Sequence, residues 1–98
     1  MTIDQMREGE ALTLRVGGRL DTMTAPELEA VVKDLPEDIT KLVMDFETLE
    51  YISSSGLRVL LLAQKTMNER GDMVIKHVND YILEIFNITG FSDILTIA

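Results

Sequence analysis

Apolar residues recur along the chain with two different periods, and the period changes where the elements change. From Thr2 to Arg7 apolar and polar positions alternate loosely, and Glu8-Gly9 reads as a tight turn. From Glu10 to Val16 the alternation is regular, with Leu12, Leu14 and Val16 on one side and Ala11, Thr13 and Arg15 on the other. A period of two is that of a half-buried strand, so the two stretches predict an N-terminal hairpin. Gly17-Gly18 then lets the chain turn. Thr24, followed by Pro26 and Glu27, predicts a capping box and a helix to about Lys33. Leu28, Val31, Val32 and Leu35 mark its apolar side, and Pro36 stops it.

Lys41–Phe46 predicts a short apolar strand carrying one acid, Asp45, and the residues between Phe46 and Ser53 read as a loop. Leu57–Arg70 has helical spacing, with Gly56, Val59, Leu60, Ala63 and Met67 on one face and Arg58, Lys65 and Glu69 opposite. Gly71 is a helix terminator. Met73–Val78 predicts another strand, and Asn79 caps a third helix with Ile82, Ile85 and Phe86 inward. Gly90 ends that helix, and Ile94–Ile97 predicts a last short strand. The order ββαβαβα, with a final β, favours an α/β sheet with parallel crossovers.

Ninety-eight residues allow one core and one domain, residues 1–98. The net charge of −8, from 17 acids against 9 bases, opposes binding to nucleic-acid phosphates and to anionic membrane surfaces. It suits a basic protein partner and plain solubility equally. There is no Cys, which excludes disulfide and thiolate chemistry and allows a cytoplasmic location. Met1–Glu10 has no apolar run of the signal-peptide kind, and no apolar stretch approaches the ~20 residues that span a bilayer.

The conspicuous chemical feature is Ser53-Ser54-Ser55-Gly56, directly before the longest helix. One serine there would serve as an N-cap, its hydroxyl accepting a free amide of the first turn. Three is a surplus, and a phosphoserine is the other use of such a position. It adds about −1.5 to −2 charge, which the helix dipole and free amides accommodate, so the charge acts on a docked partner and not on the domain. Asp21, in Gly17-Gly18-Arg19-Leu20-Asp21, comes near the serines if its strand runs parallel to Lys41–Phe46. It either orders its own loop or supports the switch. Leu57 and Leu61 lie at the margin of the buried stripe, as edge-of-core residues or as a partner patch.

A catalytic serine lacks its partners, because the one histidine, His77, is predicted inside a strand away from the serines and there is no G-x-S-x-G elbow. One His, no Cys and no ligand-spaced carboxylates predict no metal site, and no glycine-rich loop with Lys predicts a phosphate-binding cofactor.

In three stretches the sequence resembles the STAS family, the domain shared by bacterial anti-sigma factor antagonists and sulfate-transporter tails. They are Gly18-Arg19-Leu20-Asp21 with Ala25-Pro26-Glu27-Leu28; Leu42–Phe46 with Tyr51–Leu61; and Ile85–Phe91 with Ile94-Leu95. The resemblance implies an α/β domain with a four- or five-stranded mixed sheet, an N-terminal hairpin and three to four helices packed mainly on one side. It implies an anti-sigma factor antagonist, which is not an enzyme. Unphosphorylated, such a protein binds an anti-sigma factor serine kinase and frees a sigma factor; the kinase phosphorylates it and it lets go, and a phosphatase resets it. No cofactor is implied, and a monomer is expected when the protein is alone.

In the family motif the phosphorylated Ser stands two residues before the Gly, which is Ser54 here, with Ser53 and Ser55 as lesser candidates. Ser53 stands where the family often has Asp, and Asp21 matches the family's acid before the first helix. Asp21, Ser53 and Gly56 are then the support of the switch. Asp21, Thr22, Met23, Thr24, Ser54, Leu57 and Leu61 are the expected partner contacts. The alternatives are a STAS subunit of another assembly, such as an ABC lipid-transport system or a stress complex, and, from other classes, an acyl carrier protein or a serine hydrolase. Ser53-Ser54-Ser55-Gly56 lacks the carrier's Asp-Ser-Leu, and the hairpin argues against a helical bundle.

Overall fold

The computed structural model describes residues 1–98. Strand β1 (Thr2–Glu8) turns at Gly9, whose φ of +61° favours glycine, into the antiparallel strand β2 (Ala11–Leu20). Helix α1 (Ala25–Lys33) follows, then strands β3 (Lys41–Asp45) and β4 (Leu49–Ile52), helix α2 (Ser54–Asn68), strand β5 (Asp72–Lys76) and helix α3 (Asp80–Thr89). A 3-10 turn, Phe91–Asp93, closes the chain. The main sheet runs β1-β2-β3-β5, parallel after the hairpin, and β4 pairs in parallel with the far end of β2. The expected mixed sheet is thus five-stranded, with three helices.

The alternation read from the sequence decides which sheet face is covered. Leu12, Leu14 and Val16 of β2, Leu42 and Met44 of β3, and Met73 and Ile75 of β5 are all buried. The helices supply Leu28 and Val32, then Val59, Leu60, Ala63 and Met67, then Ile82 and Phe86, to the same core. The residues alternating with the buried strand positions stay partly or fully exposed, except Gly17 and Asp45. The sheet therefore has one helix-covered face and one open face.

Four expectations need correction. The residues before Ser53 are not simply a loop: Leu49–Ile52 is β4, which pairs with β2 beyond an irregularity at Gly18/Arg19. The capping box at Thr24 does not form: the Thr24 hydroxyl oxygen accepts from the Asp21 amide at 2.9 Å, its hydrogen goes to the Arg19 carbonyl at 2.7 Å, and no side chain caps α1. His77 lies outside β5, at φ +60°, and not within a strand. The predicted last strand reduces to a single bridge, Ile75 to Ile97. Gly71 meets the rest of the fold by close approach: a Cβ there would lie 2.0 Å from the Thr40 carbonyl oxygen.

Candidate functional site

The parallel pairing of β2 with β4 brings two loops to one end of the sheet, Arg19–Thr24 and Ile52–Gly56. The Ser53 amide donates to the Leu20 carbonyl at 2.9 Å, and the Thr22 and Ser55 hydroxyls lie 3.3 Å apart. The approach of Asp21's loop to the serine run, expected from a parallel arrangement, is present.

The three serines do different things. Ser53 has extended backbone, φ −100° and ψ 176°, and its hydroxyl oxygen accepts from the Gly56 amide at 3.4 Å, so Ser53 is the N-cap of α2. Ser55 is half-buried and shares a hydrogen bond with Thr22. Ser54 is the first helical residue, exposed, and its hydroxyl makes no hydrogen bond within the protein. Gly56 lets the helix start close to the sheet. A Cβ there would stand 2.8 Å from Ile52 Cγ1, 2.8 Å from Leu20 Cγ and 3.0 Å from the Leu20 carbonyl oxygen.

Asp21 orders its own loop. Its Oδ1 accepts from the Met23 amide at 3.0 Å, the Thr24 amide at 3.2 Å and the Thr24 hydroxyl at 3.2 Å, and the Arg19 guanidinium lies 3.7 Å from Oδ2. Partial burial pushes the carboxyl up, but the amides of Thr24 and Met23, with the Thr24 hydroxyl and Arg19, outweigh it and hold it below its ordinary value. The result is a fixed anion beside the serines. Arg19 lies over the Tyr51 ring, 4.1 Å from its centre, and Tyr51 stacks against Tyr81 at 6.4 Å. Sequence reasoning passed over this Arg19–Tyr51–Tyr81 column, because Arg19 and Tyr51 meet as register partners of β2 and β4, β4 was not recognised, and Tyr81 joins from α3.

The expected contact residues divide by exposure. Thr22 and Met23 project from the loop, Met23 at 85% exposure. Thr24 is half-buried, and Leu61, also half-buried, lines a shallow groove with Glu29, Arg58 and Lys65. Leu57 departs from expectation: it is 8% exposed and belongs to the core, because the first turn of α2 faces inward against β4, so it offers no free surface.

The fold also gathers a group that spacing did not show. Donor atoms of Asp45, Glu47 and His77 lie within 4.8 Å of one another. Asp45, 5% exposed, accepts from the Glu47 amide at 3.1 Å and pairs with His77 Nδ1 at 2.9 Å, while Arg15 lies at 3.8 Å. Burial raises this carboxyl, but the His77 hydrogen bond, the Glu47 amide and the charges of His77 and Lys76 outweigh it, and the net shift is downward. Asp45 is thus satisfied by the His77 ring and the Glu47 amide, while the Glu47 carboxylate is exposed and bonds to neither.

Comparison with known proteins gives a consistent picture. The profile described as "Mlab, STAS domain" matches residues 3–96. An anti-sigma-B factor antagonist of Staphylococcus aureus (strain NCTC 8325 / PS 47) is 31% identical over 97 residues, which is 97% of this chain and 90% of the relative. The solved structure of an anti-sigma factor antagonist from Mycobacterium paratuberculosis aligns with a TM-score of 0.82 at 24% identity, covering 98% of this chain and 83% of that one. The Bacillus cell fate determinant SpoIIAA in its phosphorylated form aligns with a TM-score of 0.77 at 19% identity, covering 99% and 91%. Antagonists of this kind are regulatory binding proteins, not enzymes. No helix here is long and apolar enough to cross a membrane.

Proposed function

The chain belongs to the STAS family, and from that premise we propose that it is a cytoplasmic anti-sigma factor antagonist switched by phosphorylation of Ser54. Unphosphorylated, it binds an anti-sigma factor serine kinase and releases a sigma factor. The kinase transfers the γ-phosphoryl group of ATP to the Ser54 hydroxyl, ADP leaves, and the complex separates; a phosphatase restores the hydroxyl by hydrolysis.

The observation that carries this reading is the division of labour among the serines. Ser53 holds the cap and Ser55 holds Thr22, which leaves Ser54 exposed and with no structural task. A hydroxyl at the first helical position can receive a phosphoryl group without breaking any bond of the fold. The first-turn amides and the helix dipole favour the added charge. The domain keeps its shape, and the change falls on whatever lies over Ser54, Thr22 and Met23. Asp21 contributes a second, permanent negative charge at that end, so a bound partner must present basic or donor groups there. Phosphorylation then changes the local charge by about −1.5 to −2 and displaces part of that contact by bulk.

The test is recovery of partners from the native host's lysate with the wild type, Ser54→Ala and Ser54→Glu as baits. One ATP-binding kinase held by the first two and lost by the third is the expected result. Transporter or scaffold proteins held regardless of residue 54 would assign the chain to a different STAS assembly, a reading that the Mlab name in the family description keeps in view.

A further inference from the structure

We propose that the open face of the sheet is a self-association surface, which pairs with the same face of a second copy of this chain. This inference is independent of the role of Ser54.

Strand register sorts the open face into three rows. The first is Asp4, Arg15, Asp45 and Lys76, one residue from each of β1, β2, β3 and β5. The second is Met6, Thr13, Val43 and Val74, and the third is Glu8, Ala11, Lys41 and Asp72. The middle row is weakly polar to apolar and partly uncovered, with Met6 at 54% exposure. The first row carries charges in the order minus, plus, minus, plus, with Asp45 only 5% exposed and bonded to His77. Such a row is complementary to its own reverse, which is the condition for a two-fold interface, where the same patch serves both copies.

A two-fold axis parallel to the strands, between β2 and β3, makes the match. It sets Asp4 of each copy opposite Lys76 of the other, and Arg15 opposite the Asp45–His77 pair. Met6 meets Val74 and Thr13 meets Val43. This is the aligned mode of sheet-on-sheet packing. Glu8 meets Asp72 at the outer edge, a like-charge contact in water that limits affinity.

Charge also selects the occupant. Four acids and three bases lie in the three rows and Glu47 stands beside Arg15 and Asp45, so the face holds two of the chain's eight excess negative charges. A basic partner is drawn elsewhere, to the acid-rich remainder. The near-neutral, self-complementary face is where a second copy of an acidic chain approaches with least repulsion. Three rows about 7 Å apart on four strands about 4.8 Å apart give roughly 400 Å² per copy, about half of a standard interface's ~800 Å². The pair is therefore weak, and the protein is a monomer when dilute. The helices, and with them Ser54, lie on the other side of the sheet, so both switch sites of a pair stay open.

Sedimentation velocity from roughly 10 μM to 1 mM reads the association directly. The wild type is expected to rise toward the mass of a dimer. Asp4→Lys and Lys76→Asp singly should each weaken association about tenfold or more, because each places two like-charged pairs across the axis. The double variant Asp4→Lys/Lys76→Asp reverses both signs and should recover it. Asp4 and Lys76 are three strand spacings apart within one copy, about 14 Å, beyond the screening length of about 8 Å in physiological salt. Recovery therefore has no route inside the monomer. Circular dichroism melts confirm that the variants are folded. A monomer at every concentration overturns the proposal and leaves the face to another partner or to solvent. Single variants that associate like the wild type, or a double variant no better than the singles, overturn it as well.

Discussion

Replacing each serine of the run by alanine separates capping from switching by stability alone. Ser53→Ala removes the acceptor of the Gly56 amide. Loss of an N-cap hydroxyl costs about 0.5–2 kcal/mol. The 3.4 Å bond is long, which places Ser53 at about 0.5–1 kcal/mol within that range. For a domain of this size each kcal/mol lowers Tm by about 4–8 °C, so a fall of roughly 2–8 °C follows. Ser54→Ala breaks no bond and gives a slightly better helix former, so its change should stay within about 0.5 kcal/mol of zero. Ser55→Ala loses only the Thr22 contact at 3.3 Å and should fall between the two. Urea unfolding followed by circular dichroism reads these differences as midpoint shifts at constant slope. If Ser54→Ala destabilises as much as Ser53→Ala, the assignment of separate roles fails, and Ser54 is part of the cap.

Gly56→Ala should destabilise by about 1–2 kcal/mol, the net of overpacking in the upper part of its range, about 2–3 kcal/mol, and Ala's better helix propensity of ~1 kcal/mol. The physical cause is the 2.8 Å approach to Ile52 and Leu20. A thermal midpoint equal to or above the wild type's would show that α2 has slack against the sheet. The Asp45 carboxyl is lower in the folded chain than its ordinary value of 3.8. Its stability contribution is therefore full above about pH 4 and is lost as pH falls below that, toward the folded value. Asp45→Asn should flatten the acid limb of a stability–pH profile below about pH 4; an unchanged limb would show that the His77 pair is not coupled to folding.

Much of this was legible in the chain itself, where local periodicity and tertiary role coincide. The buried face of β2, the stripe of α2 and the Asn79 and Gly90 ends of α3 repeat the sequence pattern directly. The misses share one cause, which is pairing decided at a distance. Leu49–Ile52 is too short for a period, and its partner on β2 is reached only after the irregularity at Gly18/Arg19. The Thr24 hydroxyl had the right spacing for a capping box, but its oxygen is taken by the Asp21 amide at 2.9 Å. Leu57 was a marginal position on a wheel and became core because Gly56 seats the helix tightly on β4. The Asp45–Glu47–His77 cluster joins groups up to 32 residues apart, and the left-handed turn at His77 that completes it leaves no local signal in a non-glycine residue.

The central claim rests on one hydroxyl, and phosphopeptide mapping of the protein recovered from its native host addresses it most directly. The expected result is a single phosphoryl group on Ser54 in the fraction free of its partner and none in the bound fraction. Phosphate found on Ser53 or Ser55 instead, or spread equally over free and bound protein, would contradict the switch as described.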